Sequence, residues 1–490
     1  MLQSIDVWLI IAASLVFVAV LFSKASKLGL PILILFIALG MIAGSEGIGG
    51  IDFENYELSY TISIVALCLI LFSGAIETNV KDIKPIIGRG LSLANVGVLL
   101  TAGLVSLFSH YFIGITWEKS LLLGAVLSST DAAAVFNIFK SLNLHISKKV
   151  KSVIEFESGS NDPMAYFLVV LLSSTFIFSP LEGVGQFVWS MAIGAVGGYL
   201  FSKMFIFFVS KVTLGFPGLY MTLTISTLFL TYSVTNYFNG NGFLAVYILG
   251  LMLSSSRFPH KRASLNFIDG TSWLMQIGLF ILLGVLVFPS RLYMASSKGI
   301  FIAIFLIFVA RPLSVFISLA FSSFNFKEKL FISWAGLKGA VPIVFACLVA
   351  VKKGQAAYFL FDIVFFVVLV SALTQGWTLK PMAKFLGLTE SPLPETLPEI
   401  DDVSLIRDSY KIVTIHINHY AVGKNVFELR LPSGTLIVCI KRAGKYFTPH
   451  GATILEELDE CHILCLNSDD LELVNRIFTV GIPENKLANG

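Results

Sequence analysis

Residues 157–163 read Glu-Ser-Gly-Ser-Asn-Asp-Pro, and the sequence around them is otherwise apolar and long enough to cross a lipid bilayer. An ionisable side chain at bilayer depth costs about 2.5–3.5 kcal/mol or more, so it marks a functional site by default. Here Glu157, Asn161 and Asp162 share two turns of one predicted helix. This polar cluster therefore predicts a helical membrane protein with a buried ionic site.

The composition of the whole chain also indicates a membrane protein. Of its 490 residues, 56% are hydrophobic and only 13% are charged, and the mean hydropathy is +0.84. Soluble domains carry about 25% charged residues. The net charge of +3 is spread over short loops, so we expect no nucleic-acid partner. No Lys or Arg precedes the first apolar run, 7–22, which is predicted to be a retained span rather than a signal peptide.

Apolar runs alternate with short polar loops as far as residue 386. We count about thirteen that could cross about 30 Å of hydrocarbon. One set of alternate loops carries most of the Lys and Arg, whereas the acidic loop 46–57 falls in the poorer set. By the positive-inside rule, the N-terminus is expected outside and the C-terminus in the cytoplasm. The chain is therefore predicted to be a multi-pass protein of the inner (plasma) membrane.

The composition changes after a predicted transmembrane domain, 1–388, which we expect to be all-α. A proline-rich acidic linker occupies 389–405, and a small cytoplasmic α+β domain is predicted for 406–485. Its predicted elements are strands at 411–417, 435–440 and 462–466, a hairpin turn at 443–445, and helices at 424–431 and 470–478. The five cysteines imply no disulfide framework, and Cys461, His462 and Cys465 lack the second ligand pair of a metal site.

Polar residues of three spans fall at one depth in the bilayer. At 1.5 Å per residue from the predicted cytoplasmic ends, Asp162 lies about 16 Å deep and Lys338 about 14 Å deep. Thr130 and Asp131, counted from the opposite face, reach about the same level. Solvated loop ends would not coincide in this way, so the sequence predicts one polar site near the midplane.

Two of these spans are interrupted by weak helix formers. The fifth contains Ser128-Ser-Thr-Asp131, and the twelfth contains Gly336-Leu-Lys-Gly-Ala-Val-Pro342. Paired broken helices in two inverted repeats are the best sequence pointer to an ion site in a transporter. Asp131 and Lys338 could neutralise the dipole charges at the broken ends. The alternative is ordinary kinking at Gly and Pro for helix packing.

The sixth span carries a polar stripe. Ser158 and Asp162 are four residues apart, as are Glu157 and Asn161, so all four lie side by side on one helix face. Lys338 could pair with Glu157, which would leave Asp162 without a cation of its own. Such a carboxylate can hold a proton or a small cation, but not both.

Three motifs together resemble a known family. Asn161-Asp162, Thr130-Asp131 and the run 334–342 are similar to the monovalent cation:proton antiporters of the CPA1 type, the NhaP and sodium/proton exchanger group, over roughly residues 5–390. The resemblance implies an NhaA-like transporter fold of thirteen helices with inverted repeats, formed by a dimerisation domain and a six-helix core with two crossed, broken helices. It also implies a homodimer in membrane lipid that exchanges potassium or sodium for protons.

The resemblance also implies roles for the residues of the sixth span. Asp162 carries the cation or the proton, while Asn161, Ser158 and Thr130 line the site. Glu157 pairs with a basic residue of the twelfth helix. An Asn-Asp pair, as opposed to Asp-Asp, implies electroneutral exchange of one cation for one proton.

Lys338 departs from the family pattern, which has arginine at this position. A lysine makes a single-point contact, so Arg311 in the eleventh span is a second candidate partner for Glu157. The alternative for Arg311 is a snorkelling or carbonyl-capping role. Glu77 and Glu155 are candidates for a cytoplasmic pathway to the site, or are simply charges at loop ends.

The tail resembles the C-terminal lobe of regulator-of-potassium-conductance (TrkA-C) domains in the runs 431–438 and 446–451. This resemblance implies a dimerising module that senses a small cytoplasmic ligand and regulates transport, and it favours potassium over sodium. No Gly-x-Gly-x-x-Gly follows a predicted strand, so no dinucleotide cofactor is expected. Nor is a metal expected beyond the transported cation.

Three other functions would require different features in the sequence. A potassium channel would need a carbonyl-lined filter such as Thr-Val-Gly-Tyr-Gly, which the sequence lacks. A membrane-embedded cation or pH sensor could gate the tail without net transport, and its response would survive loss of Asp162. A hydrolytic enzyme would need a nucleophile–base pair or a metal-ligand set, and none is evident, so we expect no enzyme.

Overall fold

The computed structural model describes residues 5–22, 32–78, 80–131, 134–135, 138–139, 144–174, 180–212, 214–256, 258–389, 410–432, 434–442, 444–465 and 469–481. The chain divides into two compact units, residues 1–391 and 392–490. The described part of the first unit is helical, and the second unit contains a small β-sheet.

Helices of very different length make up the first unit. In chain order they are α1 (Ile5–Phe22), α2 (Ile32–Ala43), α3 (Tyr56–Glu77), α4 (Val80–Tyr111), α5 (Trp117–Leu127), α6 (Lys148–Ser173), α7 (Pro180–Lys211), α8 (Pro217–Tyr237), α9 (Gly242–Ser254), α10 (Lys261–Val285), α11 (Pro289–Ser318), α12 (Phe326–Trp334), α13 (Ala340–Lys353) and α14 (Tyr358–Phe385). A π-helical turn interrupts α4 at Leu93–Gly97, and another interrupts α11 at Leu306–Ala310.

Six helical stretches in the described part of the chain are long and apolar enough to cross a membrane. They are Tyr56–Glu77, Val80–Tyr111, Leu181–Lys211, Lys261–Val285, Pro289–Ser318 and Ala340–Phe385. Shorter apolar helices occur at Ile11–Leu21, Ile34–Ala43 and Gly242–Ser254. Large apolar side chains such as Leu181 and Phe308 are exposed on the outer surface, as lipid contact requires. The fold is that of a helical membrane protein, and the count of about thirteen spans stays a prediction.

The helices of this unit pack as two bundles. One bundle contains α2, α3 and α7–α10, and the other contains α4–α6 and α11–α14. The bundles meet where α3 packs on α13 and where α9 packs on α6. The polar residues predicted from the sequence all lie on the second bundle, apart from Glu77 at the end of α3.

Glycines allow α2 and α10 of the first bundle to approach backbone to backbone. A Cβ added at Gly40 would lie 2.3 Å from the carbonyl oxygen of Ile281, and one added at Gly284 would lie 2.4 Å from that of Ile37. Small residues permit this kind of close contact between membrane helices. The seam between α2 and α10 is therefore held by direct backbone packing.

Two helix breaks lie in the second bundle. Residues 129–131 after α5 and 336–339 between α12 and α13 have neither helical nor strand structure. Asn325 and Glu328 form a capping box that fixes the start of α12. Both predicted interruptions therefore occur as non-helical segments in the structure.

The second unit contains a four-stranded antiparallel sheet in the order β1-β4-β2-β3. Its elements are β1 (Tyr410–Thr414), β2 (Thr435–Arg442), β3 (Lys445–Phe447), β4 (Glu460–Cys465) and α15 (Asp469–Thr479). Apolar residues from the sheet and from α15 form a separate core.

Three predicted strands, the last helix and the β2–β3 hairpin occur close to their predicted positions. Gly444 has φ 80° in that hairpin, which favours glycine, while residue 443 lies outside the described residues. The helix predicted at 424–431 is wrong: only a 3₁₀ turn, Val426–Leu429, forms there. It ends at Arg430, which has φ 43° and cannot continue a right-handed helix.

Candidate ion-binding site

The two helix breaks are joined by a backbone hydrogen bond. The amide of Asp131 donates to the carbonyl oxygen of Leu337 at 2.9 Å. Residues of the fifth and twelfth predicted spans therefore meet at their interruptions. This contact brings Thr130, Asp131 and Lys338 into one region of the second bundle.

Lys338 binds the carbonyl groups that follow α5. Its Nζ donates to the Ser129 oxygen at 2.7 Å and reaches the Ser128 oxygen at 3.5 Å. The last carbonyls of a helix lack intrahelical donors and carry partial negative charge. Lys338 is only 3% exposed, so its ammonium group stabilises this helix end away from bulk water.

Asp131 lies at the start of α13. A Cβ added to Gly339, the residue before that helix, would lie 1.7 Å from Asp131 Oδ2. Asp131 Oδ1 also accepts a hydrogen bond from the amide of Ala134 at 3.1 Å. The carboxylate is thus close to free amide groups, where negative charge is favoured.

Polar side chains join the first break to α6. The hydroxyl groups of Thr130 and Ser158 are 2.9 Å apart, and Asn161 Nδ2 donates to Thr130 Oγ1 at 2.6 Å. All three residues are buried. The donated hydrogen bond fixes the orientation of the Asn161 amide and directs its oxygen away from Thr130.

One oxygen of Asp162 makes no hydrogen bond to the described residues. Oδ1 of Asp162, Oδ1 of Asn161 and the Ser129 hydroxyl are buried and make no well-aligned hydrogen bond within the part of the chain that the structure describes, although Ser129 is near enough to act on the Asp162 carboxylate. Asp131 and Lys338 are the charged groups close enough to act on the Asp162 carboxylate. Buried polar atoms without partners are costly, so these oxygens are suited to bind a proton or a small cation.

Glu157 pairs with Arg311 of α11. Arg311 Nη1 lies 2.6 Å from Glu157 Oε1, and both side chains are almost fully buried. The expectation that Glu157 pairs with Lys338 is therefore corrected, because Lys338 is held by the carbonyl groups after α5. Arg311 is the second candidate partner, and its snorkelling alternative is excluded by its burial. Gly336 makes room for it, since a Cβ there would lie 2.3 Å from Arg311 Nε.

Two residues of α14 that the sequence analysis did not single out support the second break. Gln375 Nε2 donates to the Trp334 oxygen at 2.9 Å, and the Lys338 amide donates to Ser371 Oγ at 3.1 Å. Ser371 in turn donates to Gln375. In the sequence, the signal that could have identified Ser371 and Gln375 is a pair of polar residues one turn apart in an apolar helix. They hold the backbone that carries Lys338.

Glu155 and Glu77 lie apart from this cluster. Thr78 Oγ1 donates to Glu155 Oε1 at 2.6 Å, and Ser254 Oγ donates to the Thr78 carbonyl. Glu77 is near enough to act electrostatically on Glu155. Because Glu155 precedes Asp162 by about two turns, this group lies towards the other end of α6, where α3 and α9 also end.

Comparison with known proteins agrees with this geometry. Residues 12–385 match the model of the family described as sodium/hydrogen exchanger, transmembrane. The chain is 36% identical to the K(+)/H(+) antiporter NhaP2 of Shewanella baltica over 99% of this chain and 85% of the relative. It is 35% identical to the K(+)/H(+) antiporter NhaP of Alkalimonas amylolytica over 91% of this chain and 78% of that protein.

A solved structure has a similar fold. The sodium proton antiporter MjNhaP1 of Methanocaldococcus jannaschii matches with a TM-score of 0.67 at 24% identity, over 77% of this chain and 98% of that one. The match extends the agreement from sequence to the arrangement of the helices. The chain therefore belongs to the transmembrane sodium/hydrogen exchanger family and is a membrane transporter, a cation/proton antiporter rather than an enzyme.

Proposed function

We propose that this protein exchanges one potassium ion for one proton, with sodium as the alternative cation, and that Asp162 binds the two in turn. The observation that carries the proposal is a pair of buried oxygens on consecutive residues of α6, Oδ1 of Asn161 and Oδ1 of Asp162, that make no hydrogen bond to the described part of the chain. A carboxylate and an amide oxygen are hard donors suited to an alkali cation. A proton on the same carboxylate would exclude the cation.

Fixed charges around the site favour electroneutral exchange. Glu157 is neutralised by Arg311, and Lys338 is bound to carbonyl oxygens. Asp131 lies at a helix start, where its charge is compensated. Asp162 therefore contributes one negative charge that one cation or one proton neutralises, so each half of the cycle carries the same net charge.

The remaining residues orient this carboxylate. Thr130 and Ser158 share a hydrogen bond, and Thr130 also accepts from Asn161. Their hydroxyl oxygens can supply further ligands, and the Asn161 amide can present only its oxygen to the ion. Glu155 and Glu77 would line the cytoplasmic approach to Asp162.

Named relatives support the choice of potassium. Two relatives that match most of this chain are named K(+)/H(+) antiporters. The Na(+)/H(+) antiporter NhaH of Halobacillus dabanensis is 26% identical over 61% of this chain. The greater similarity to potassium antiporters favours potassium, and sodium is kept as a competitor in the test.

The same proposal covers membrane placement and regulation. The transporter, 1–388, would act as a homodimer in the inner (plasma) membrane, with its N-terminus outside. The linker, 389–405, would connect it to a cytoplasmic TrkA-C-like domain, 406–485, that senses a small ligand. The distribution of Lys and Arg supports this orientation.

The decisive test is proton efflux from acid-loaded proteoliposomes with the membrane potential clamped. Potassium, sodium and lithium are added in turn to the wild type, to Asp162→Asn, and to Asp269→Asn, which removes an exposed carboxylate from α10. We expect voltage-independent efflux with potassium in the wild type and Asp269→Asn, and none in Asp162→Asn. Exchange that persists in Asp162→Asn would overturn the role of Asp162, and voltage-driven exchange would overturn the stoichiometry.

A further inference from the structure

A second buried carboxylate lies near one end of the membrane domain. Asp362 is in the second turn of α14 and is only 3% exposed. Within the described residues it makes neither a hydrogen bond nor an ion pair, and the nearby charges that act on it are Arg291 and Glu54. A carboxylate that is largely removed from water and lacks a direct partner is costly, so this position is suited to bind a ligand.

A buried tyrosine hydroxyl shares this environment. The ring of Tyr56 stacks on Tyr358 with centroids 4.4 Å apart and meets Phe361 edge-on at 5.3 Å. These contacts place Tyr56 against the first turn of α14, next to Asp362, whose charge acts on it. The Tyr56 hydroxyl is also without a partner among the residues described. Two unpartnered polar groups from α3 and α14 thus lie together.

An exposed ion pair lies over this buried pair. Arg291 Nη2 is 2.8 Å from Glu54 Oε1, and both side chains are partly exposed. Glu46, on the same loop, accepts hydrogen bonds from the amide and hydroxyl of Ser290. We call the membrane side that carries residues 44–55 the acidic-loop face. Within the described residues Arg291 is paired with Glu54 and makes no ion pair with Asp362, although its charge still acts on that carboxylate.

Tyrosines lead from this pair towards Asp162. Tyr60 is one turn beyond Tyr56 on α3, and Tyr166 is near enough to act on it electrostatically. Tyr166 is one turn beyond Asp162 on α6, and Tyr232 of α8 is also near enough to act on it electrostatically. One helical turn is about 5.4 Å. On each helix a tyrosine therefore lies one turn from a group of an ion site, Tyr60 from Tyr56 and Tyr166 from Asp162.

We propose that Asp362 and the Tyr56 hydroxyl form a second ion subsite, which takes a monovalent cation at the acidic-loop face. The tyrosines at 60 and 166 supply polar groups on the way from this subsite to Asp162. The carboxylate provides the charge and the hydroxyl a further oxygen ligand. This inference rests on the proposed antiport, because a subsite on the path has a purpose only if an ion passes.

The test compares ion affinity at the two membrane faces. Potassium is added to one face at a time in vesicles of known orientation, and the apparent KM is measured for the wild type, Asp362→Asn and Asp362→Glu. A charge within about 4–6 Å changes a binding equilibrium about tenfold or more. We expect the KM at the acidic-loop face to rise about tenfold in Asp362→Asn, with the KM at the other face unchanged, and to be largely restored in Asp362→Glu.

The matched control is Glu57→Gln, which removes an exposed charge from the first turn of α3 on the same face. We expect it to leave both KM values near those of the wild type. Tyr56→Phe keeps the aromatic packing and removes only the hydroxyl, so it should shift the same KM in the same direction by a smaller factor. It also tests the subsite if Asp362→Asn does not fold.

A binding measurement separates this inference from the antiport itself. Thallous ion, an electron-rich monovalent cation, is soaked into crystals of the wild type and of Asp362→Asn. Its position is then located in the electron density. We expect density beside Asp362 in the wild type that is lost in the variant. Equal KM shifts at both faces, no shift at either, or no thallium at Asp362 would each overturn the subsite. Absence of any exchange in the wild type would overturn the antiport, and the thallium result would still decide the subsite.

Discussion

Arg311 Nη1 lies 2.6 Å from Glu157 Oε1, and the pair is almost completely buried between α11 and α6. Breaking such a pair leaves an uncompensated buried charge and costs about 3–5 kcal/mol. We therefore expect Arg311→Met to lower the Tm in detergent strongly, and Glu157→Gln to do the same. The double variant should recover part of the loss, since it leaves neither charge alone. Additive losses in the double variant would show that the two side chains are not coupled.

Lys338 tests how the broken end of α5 is held. Lys338→Met removes the ammonium group that the Ser129 carbonyl binds, so we expect loss of exchange and a cost of about 1–3 kcal/mol in stability. Lys338→Arg should keep exchange, because arginine is usual at this position in the resembling family. Cation-driven proton efflux and detergent melting measure the two effects. An inactive, unfolded Lys338→Arg would argue against carbonyl capping as the role of this residue.

Gly339 tests the approach of Asp131 to α13. Gly339→Ala would place a Cβ 1.7 Å from Asp131 Oδ2, so the carboxylate or the backbone must move. We expect exchange to fall by at least about tenfold, since small misplacements of catalytic or binding groups are costly. Gly278→Ala in α10 is the control, because no atom lies within 4 Å of its added Cβ. Equal activity in the two variants would contradict the described contact.

The Ser371–Gln375 pair tests the support of the second break. Gln375→Leu removes the donor to the Trp334 carbonyl and the acceptor of the Ser371 hydroxyl. Leaving buried groups unpaired costs about 1–3 kcal/mol, so we expect a lower Tm and weaker cation binding. Thr374→Ala is the control, because the Thr374 hydroxyl bonds only within its own helix. A Tm no lower in Gln375→Leu than in Thr374→Ala would rule out this support.

The tail has a titratable group of its own in His462 of β4. Burial lowers the pKa of His462, Glu460 acts to raise it and Lys441 to lower it. The pKa of such a histidine is lower in the folded protein than in the unfolded chain, where it is about 6.5. The histidine therefore contributes its full stabilisation at pH values above the unfolded pKa. This stability is lost as the pH falls through the folded pKa. We expect hydrogen exchange of β4, corrected for intrinsic rates, to speed up in acid in the wild type and less so in His462→Phe.

The meeting of the two interrupted segments could be predicted from the sequence, whereas position around each helix could not. The helical rise per residue predicts one level for Thr130, Asp131, Asp162 and Lys338. In the structure the segments that carry these residues pack in one region. The same arithmetic could not choose between Lys338 and Arg311 as the partner of Glu157. A π-helical turn, Leu306–Ala310, directly precedes Arg311. Such a turn rotates all later residues relative to a regular helix.

Residues whose importance depends on a neighbour were also missed. Ser371 and Gln375 bind backbone atoms of another helix, and a sequence pattern does not reveal which carbonyls need a donor. The sequence does not mark Asp362, because a single acid near the end of a span is usually a loop charge. Its burial against Tyr56 depends on how α3 and α14 pack. The sequence alone therefore does not show which distant segments contact each other.

The hydrogen bond between Asp131 and Leu337 has a consequence for how this chain can change. An extra residue in either break would shift Lys338 from the Ser129 carbonyl and Asp131 from Gly339 at the same time. The lengths of two segments some two hundred residues apart are thus a single shared constraint. Insertions that are harmless in the surrounding loops should be tolerated here only in matched pairs.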